Sequence, residues 1–475
     1  MPLILIYYGK YDKLILQLGL VYTVIVMIFS ILSITLSLLT LHFVIIIHEL
    51  GHYYAARLSS FMAKEVSIGF GKCLYSWKDN YGTTWSLRLW PFGGYVDFSG
   101  LKPKQQNLAF QRLGFLRQSF IIFGGIIANL TTAFILLSFC FFHGYDERKM
   151  TILRITQDSP AYESGLKSGD SIISIEDLQT INWELTQLKL IQLQFNQQPF
   201  TINYQRQSHE FQAEFSPKNW PILSQKQSIL DIIGITPIYD DYSNTIVSVS
   251  AYSPAYNLGL TSGDSIIKMN GQAIVNGESL SQWIYNHPGE EVSITYTDGK
   301  TGEIKSGNII IESRGLFRPY GYLGIYLSPK YSLSEIYHPI SFSVSESFFY
   351  AYQTIVYYIS TSFIILYYVI SGKMSLSVFS GPIGILIQSQ KIISYQHLII
   401  YLRWFSAIHI CLAFINLLPI PILDGGQWCM LVIEKLIRKP ISSDLRSWIY
   451  ACCYGLIIGM LVTVTLLDLQ SLLIS

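Results

Sequence analysis

The chain has 475 residues, of which 50% are hydrophobic and 13% charged, with a mean hydropathy of +0.36. That balance is too apolar for an ordinary soluble protein and calls for membrane spans joined to soluble parts. The formal net charge of +1 offers neither an acidic nor a basic face, and nothing in the sequence reads as a nucleic-acid surface.

Residues 14–47 form one apolar run of 34 residues without a charge. A single helix of that length would reach ~51 Å, against a hydrocarbon core of ~30 Å. Residues 1–30 are therefore an extra apolar segment: either an added anchor or sequence ahead of a true start at Met27. The first membrane span is expected at 31–57, and His48-Glu49-Leu50-Gly51-His52 sits at its end. Histidines four residues apart share one helix face and can reach one zinc ion. Glu49 between them can act as base toward a water held there. A metal-binding face within a membrane-length helix is costly and is functional by default.

From Arg57 to Arg117 the chain carries nine Lys/Arg and three acids, which places this loop on the cytoplasmic side. A second span is expected at 118–142, a third at 398–426 and a fourth at 448–469. The 427–447 loop holds Lys435, Arg438, Lys439 and Arg446 and is again cytoplasmic. Residues 344–370 are apolar too. If they spanned, the following span would run the other way and carry the Asp424 region to the far side from His48. They are therefore expected as a helix on the membrane surface within a 316–397 linker, with a fifth span as the alternative.

The middle of the chain is soluble and duplicated. Ser159-Pro160-Ala161-Tyr162 through Gly165-Leu166-Lys167-Ser168-Gly169-Asp170-Ser171-Ile172-Ile173 recurs 94 residues later, from Ser253 to Ile267. In each copy a strand leads into Ser-Pro-Ala, which starts a short helix. Gly165, Gly169, Gly259 and Gly263 suit positions that need positive φ. This signature resembles PDZ domains of the bacterial protease type, with units expected at 143–235 and 236–315. Such domains bind extended chains at a sheet edge. No cysteine lies between residues 141 and 410, so this part carries no disulfide, and no C-x-x-C pair suggests a cysteine zinc site.

Two histidines do not complete a catalytic zinc site, which takes three protein ligands and a water. Asn416-Leu417-Leu418-Pro419-Ile420-Pro421-Ile422-Leu423-Asp424-Gly425-Gly426 offers the third. Pro419 and Pro421 break the helix. Unwound backbone at membrane depth is tolerated where it is buried in protein or lines a wet cavity. The alternative role for Asp424 is an N-cap for a helix starting at Gln427.

Together these motifs resemble the site-2 protease family of intramembrane zinc metalloproteases, in particular the bacterial regulator-of-sigma-E branch with two tandem PDZ domains. His48–His52, Gly124-Gly125-Ile126-Ile127-Ala128-Asn129, both PDZ signatures, Ser380-Gly381-Pro382-Ile383-Gly384 and Asn416–Gly426 appear in family order. The implied fold is a polytopic α-helical membrane protein. It has about four transmembrane helices, or one more at the N-terminus, two inserted α+β PDZ domains and a membrane-associated β-hairpin within 58–117. The resemblance implies one Zn2+ per chain held by His48, His52 and Asp424, with Glu49 as general base. Asn416 and the segment Ser67, Ile68, Gly69, Phe70 and Gly71 would hold substrate, the latter as an edge strand of the hairpin. The implied setting is the bacterial inner membrane, with the active site toward the cytoplasm and the PDZ domains in the periplasm. The implied partners are the lipid bilayer, a single-span membrane protein as substrate, and an upstream site-1-type protease acting on the same substrate.

Two other classes compete. A catalytically silent PDZ scaffold would not need His48, Glu49, His52 and Asp424 together. A zinc transporter or sensor would call for several intramembrane ligands along a path, whereas His42 and His409 stand isolated and read as packing residues.

Overall fold

The computed structural model describes residues 34–97, 110, 112–221, 227–239, 242–314, 319–394 and 398–474. The extra N-terminal segment expected at 1–30 lies outside them.

The first helix, α1 (Ile34–Leu58), carries its backbone hydrogen bonds internally, as an apolar environment demands. A long antiparallel hairpin follows, β1 (Glu65–Lys78) and β2 (Thr84–Asp97). Its tip is set by Asp79, whose carboxylate accepts from the backbone amides of Tyr81 and Thr83, both at 2.9 Å. The other Asp79 oxygen accepts from Tyr53 of α1 at 2.8 Å and from Trp85 at 3.1 Å, which ties the hairpin to the helix. Regular pairing breaks in the middle. Ile68 faces Gly94 while Phe70 faces Trp90, and Gly69 and Gly71 take φ of +91° and +84°. Phe70, Leu74, Tyr75, Leu89 and Trp90 are exposed, an apolar skin unusual for a soluble hairpin.

Helix α2 (Phe115–His143) packs on α1 backbone to backbone. A Cβ on Gly51 would meet the Gly124 carbonyl, and one on Gly124 would meet Gly51. Small residues at such a crossing let membrane helices approach closely.

After β3 (Tyr145–Arg148) come two α+β repeats. The first comprises β4 (Ile152–Ile155), α3 (Pro160–Glu163), β5 (Ser171–Ile175), β6 (Leu178–Gln179), α4 (Trp183–Asn196), β7 (Phe200–Arg206), β8 (His209–Phe215), α5 (Ile229–Ile233) and β9 (Ile235–Pro237). The second comprises β10 (Tyr242–Val249), α6 (Pro254–Leu258), β11 (Ser265–Met269), β12 (Gln272–Ala273), α7 (Gly277–Tyr285), β13 (Glu291–Thr297) and β14 (Ile304–Ile310), then β15 (Glu312–Arg314), β16 (Tyr320–Tyr322) and β17 (Ile325–Pro329).

The repeated motif does the same local work twice. Ser159 and Ser253 cap α3 and α6 by accepting from Tyr162 and Tyr256 amides. The four glycines all take φ between +84° and +96°. Asp170 and Asp264 are buried and accept from the Lys167 and Thr261 amides, each at 2.7 Å. Asp170 also pairs with Arg206, whereas Asp264 accepts from the Gly299 amide at 2.9 Å. Each repeat encloses its own core, the first around Ile152, Ile175 and Ile202, the second around Ile246, Ile266 and Ile294. The strands overrun the expected limits: β9 of the first repeat extends to Pro237, and β17 pairs with β10 from beyond residue 315.

The chain leaves the repeats where it entered. Helix α8 (Leu333–Ile336) leads into β18 (Tyr337–Ile340), which pairs with β3, and Lys149 donates to the Ile336 carbonyl at 2.8 Å. Helix α9 (Val344–Ile370) then starts with a Ser343/Glu346 capping box. Its first half joins Ala351 and Ile355 to Leu137 and Phe141 of α2. Its second half meets the first repeat, where Gln192 donates to Ser360 and Thr361, and Phe195 packs on Tyr367 and Tyr368.

The last helices are α10 (Pro382–Ser394), α11 (Leu398–Leu417), α12 (Asp424–Ile437) and α13 (Ser443–Ile474). Among the described residues, α1, α2, α9, α11 and α13 are long and apolar enough to cross a membrane. The start of α10 is held by Asp468 of α13, which accepts from Gly381 at 3.2 Å and Gly384 at 2.8 Å. Side-chain hydroxyls join α1 to its neighbours: Ser37 to Ser389 of α10, and Thr40 to Tyr401 of α11. Such bonds contribute only about 0.6 kcal/mol in a bilayer, so they fix register more than they hold helices together. Arg403 of α11 is the charge within an apolar helix, and it is paired with Glu147 of β3 at 3.0 Å and Glu184 of α4 at 2.7 Å.

Two local expectations are corrected. The 427–447 stretch, read as a loop, is helical to Ile437, because Met430 and Leu431 recur on a buried face. Asp424 is not an N-cap, since α12 starts at Asp424 itself, with Leu423 in the cap position.

Candidate active site

Two chain segments bring the donor residues together. His48 and His52 lie on one face of α1, and Asp424 opens α12 just after the Pro419–Pro421 break. The His48 and His52 Nε2 atoms are 3.2 Å apart, and Asp424 Oδ2 lies 3.2 Å from the first and 3.3 Å from the second. Among the described residues these three form a group able to hold a metal ion.

The donor set fits zinc on geometric grounds. Ligand atoms ~2.1 Å from a tetrahedral ion lie ~3.4 Å from one another, close to the separations found. Asp424 Oδ2 is buried and faces the two imidazole Nε2 atoms, and among the described residues it has no other hydrogen-bond partner, which suits an oxygen that would ligate a metal. The other His52 nitrogen, Nδ1, lies 2.9 Å from the Ile121 carbonyl. Donation from Nδ1 to that carbonyl leaves the Nε2 lone pair free for metal.

The pocket depends on glycine. Gly125 of α2 lies against both imidazoles, and a Cβ there would sit within 2.6 Å of His52 Nε2 and no farther from the His48 ring. Glu49 faces the hairpin. Its Cγ lies 3.6 Å from where a Cβ on Gly94 of β2 would sit. Gly94 lies on β2, while Ser67–Gly71 lies on the paired strand β1. Ser67 is buried and accepts from Arg88 at 2.9 Å, so its side chain is used within the hairpin. Asn416 is buried on α11 and its amide donates to Leu412 of its own helix at 3.1 Å.

Three neighbours were not given site roles by sequence. Gly125 and Asn129 lie in the Gly124–Asn129 motif, and sequence alone marks His409 as a packing residue. Asn129 and His409 are fully buried, Asn129 lies 3.3 Å from His48 Nδ1, and His409 Nδ1 lies 2.9 Å from Asn129 Oδ1. The one sequence signal for His409 is its place two helical turns before Asn416.

A His-His-Asp donor set inside apolar helices, with a glutamate between the histidines, defines a membrane-embedded zinc metallopeptidase. Residues 36–460 match the model of peptidase family M50, and the chain belongs to that family, the site-2-type zinc metalloproteases. It is similar to protease RseP of Yersinia pestis, at 27% identity over 92% of this chain and 97% of the relative. It is similar to a putative zinc metalloprotease of Vibrio cholerae at 26% identity, covering 92% of this chain and 98% of the relative. The regulator of sigma-E protease RseP of Escherichia coli is 26% identical over 90% of this chain and 94% of the relative. Among solved structures, the PDZ domain of an SdrC-like protein of Listeria monocytogenes matches 19% of this chain and 92% of its own length, at 24% identity and a TM-score of 0.16.

Proposed function

We propose that this enzyme cleaves single-span membrane proteins within their transmembrane segments, with His48, His52 and Asp424 as zinc ligands and Glu49 as general base. The observation that carries this reading is the convergence of the three donors, from α1 and the broken end of α11, beside Glu49. Zinc, when bound there, polarises the scissile carbonyl and makes water a nucleophile near neutral pH. Glu49 takes the proton from the attacking water and delivers it to the leaving amine.

A substrate helix has its carbonyls bonded internally and must unwind before attack. Strand pairing on the β1–β2 hairpin offsets that cost by ~1 kcal/mol per hydrogen bond. The irregular pairing around Gly69 and Gly71 supports Ser67–Gly71 as the segment that engages substrate, and the exposed Phe70, Tyr75 and Trp90 support a membrane-associated hairpin. Asn416 would complete the substrate contacts after releasing Leu412.

The protein would lie in a bacterial inner membrane with its active site toward the cytoplasm and its PDZ-like repeats in the periplasm. The zinc ligands sit near the ends of α1 and α11 that join the basic segments, and the repeats follow the opposite end of α2. Helix α9 would lie on or partly sunk into the periplasmic surface. Supporting this, Phe342 before it packs on Phe141 at the far end of α2, and Gly381 after it binds Asp468 at the far end of α13. The repeats would act as a filter that admits substrates already trimmed by a site-1-type protease. Several relatives, that of Escherichia coli among them, are named regulator of sigma-E protease, which supports a substrate such as an anti-sigma factor; remnant signal peptides have the same single-span chemistry. Glu49→Gln tests the base: it should retain zinc and lose cleavage, and near-parental cleavage would remove Glu49 from that role.

A further inference from the structure

The buried chain His48–Asn129–His409 is not used by the chemistry above. Asn129 and His409 have no exposure, and His409 reaches Asn129 from a helix 280 residues away. Among the described residues, His409 Nε2 is buried with no hydrogen-bond partner, and the imidazole's polar tie is to Asn129. A buried polar pair of this kind is costly unless it sets something in place.

Ligation through His48 Nε2 requires the proton to be on Nδ1, and that N–H needs an acceptor. The group beside it is the Asn129 amide, at 3.3 Å. An amide presents a donor on one side and an acceptor on the other, and a flip exchanges them. With Nδ2 toward His48, as arranged here, Asn129 donates to His48 Nδ1, and the imidazole proton is left on Nε2, where it blocks the metal. His409 Nδ1 then donates to Asn129 Oδ1, at 2.9 Å. With the amide flipped, His48 Nδ1–H donates to Asn129 Oδ1, the His48 Nε2 lone pair is free, and Asn129 Nδ2 donates to His409 Nδ1. An imidazole can complete either state because its Nδ1 serves as donor or acceptor. An aliphatic side chain at 409 would complete neither.

We propose that Asn129 and His409 are positioning residues that form a relay setting the tautomer of His48, so that zinc binding turns the Asn129 amide and shifts the His409 proton to Nε2. The relay rests on His48 being a zinc ligand. His52 has the simpler arrangement, a fixed backbone carbonyl at Ile121, so the relay makes His48 the adjustable ligand of the pair.

The test is zinc affinity of the full-length protein in detergent, measured by competition with a chromophoric chelator, for the parent and for Asn129→Leu, His409→Leu, the double Leu variant, Asn129→Asp, His409→Gln and His48→Ala. Each single Leu variant should lose 10–100-fold in affinity. The double variant should lose no more than the worse single, since both break one chain. Asn129→Asp keeps an acceptor on His48 Nδ1, and His409→Gln keeps an acceptor for Asn129. Both should retain parental affinity, which a merely structural role for the two sites would not produce alongside the Leu losses. Parental affinity in both Leu variants, with zinc lost in His48→Ala, would overturn the relay and leave the ligand assignment standing. Losses that multiply in the double variant would overturn it as well. Zinc retained in His48→Ala would instead overturn the ligand reading on which the relay depends.

Discussion

Replacing Gly125 with alanine separates the geometry of the metal site from the stability of the helix that faces it. An alanine inside a helix is intrinsically better than glycine by ~0.5–1 kcal/mol, so local propensity alone makes Gly125→Ala neutral or stabilising. The added Cβ would lie 2.6 Å from His52 Nε2 and no farther from the His48 ring. That is ~0.8 Å short of ordinary van der Waals contact, and α2 cannot retreat while Gly51 and Gly124 hold the two backbones together. The imidazoles must yield instead, in a site where ligand distances tolerate ~0.2 Å. We expect zinc affinity to fall by about 100-fold or more, cleavage to fall at least as far, and resistance to thermal unfolding of the metal-free protein to be unchanged or higher. Chelator competition, a cleavage assay and unfolding of the metal-free form in detergent measure the three quantities. Parental zinc affinity and cleavage in Gly125→Ala would refute the placement of the imidazoles against α2.

Two further predictions concern the repeats. Asp170→Ala removes a buried carboxylate and strands Arg206, which is partly exposed and can rehydrate. The first repeat should lose about 3 kcal/mol, the low end for breaking a buried pair, seen as earlier proteolytic cutting within 149–238 of the intact protein; unchanged protease resistance would contradict the structural role of the repeated Gly-Asp. Excising residues 150–335 should leave a closed membrane core, because Lys149 and Ile336 already meet at 2.8 Å. The excised protein should cut an untrimmed single-span substrate that the parent rejects. Equal rejection by both would argue against the filter.

The three clustered donor residues, His48, His52 and Asp424, were legible because each is marked locally. The four-residue spacing of His48 and His52 and the Pro-x-Pro break before Asp424 are short patterns with a direct physical meaning. The positive-φ glycines of the two repeats were legible for the same reason. What could not be read was contact between distant helices. Gly125 matters only because α1 lies against it, and His409 only because α11 runs beside α2. No window of sequence contains either pair. Strand β17 was not legible because it lies beyond the visible duplication, which ends at Ile267, and its partner β10 is some 80 residues earlier. The helix after Asp424 was read as a loop because its charged end outweighed the buried Met430 and Leu431.

The central claim is that a zinc-dependent endopeptidase acts inside the membrane segment of its substrate. The direct measurement is cleavage of a model single-span substrate by the purified protein in detergent, with and without a zinc chelator, with the cut site mapped by mass spectrometry. The account predicts a cut within the apolar segment that disappears with chelator and returns when zinc is restored. Cleavage that persists in chelator, or a cut confined to the soluble flanks, would contradict it.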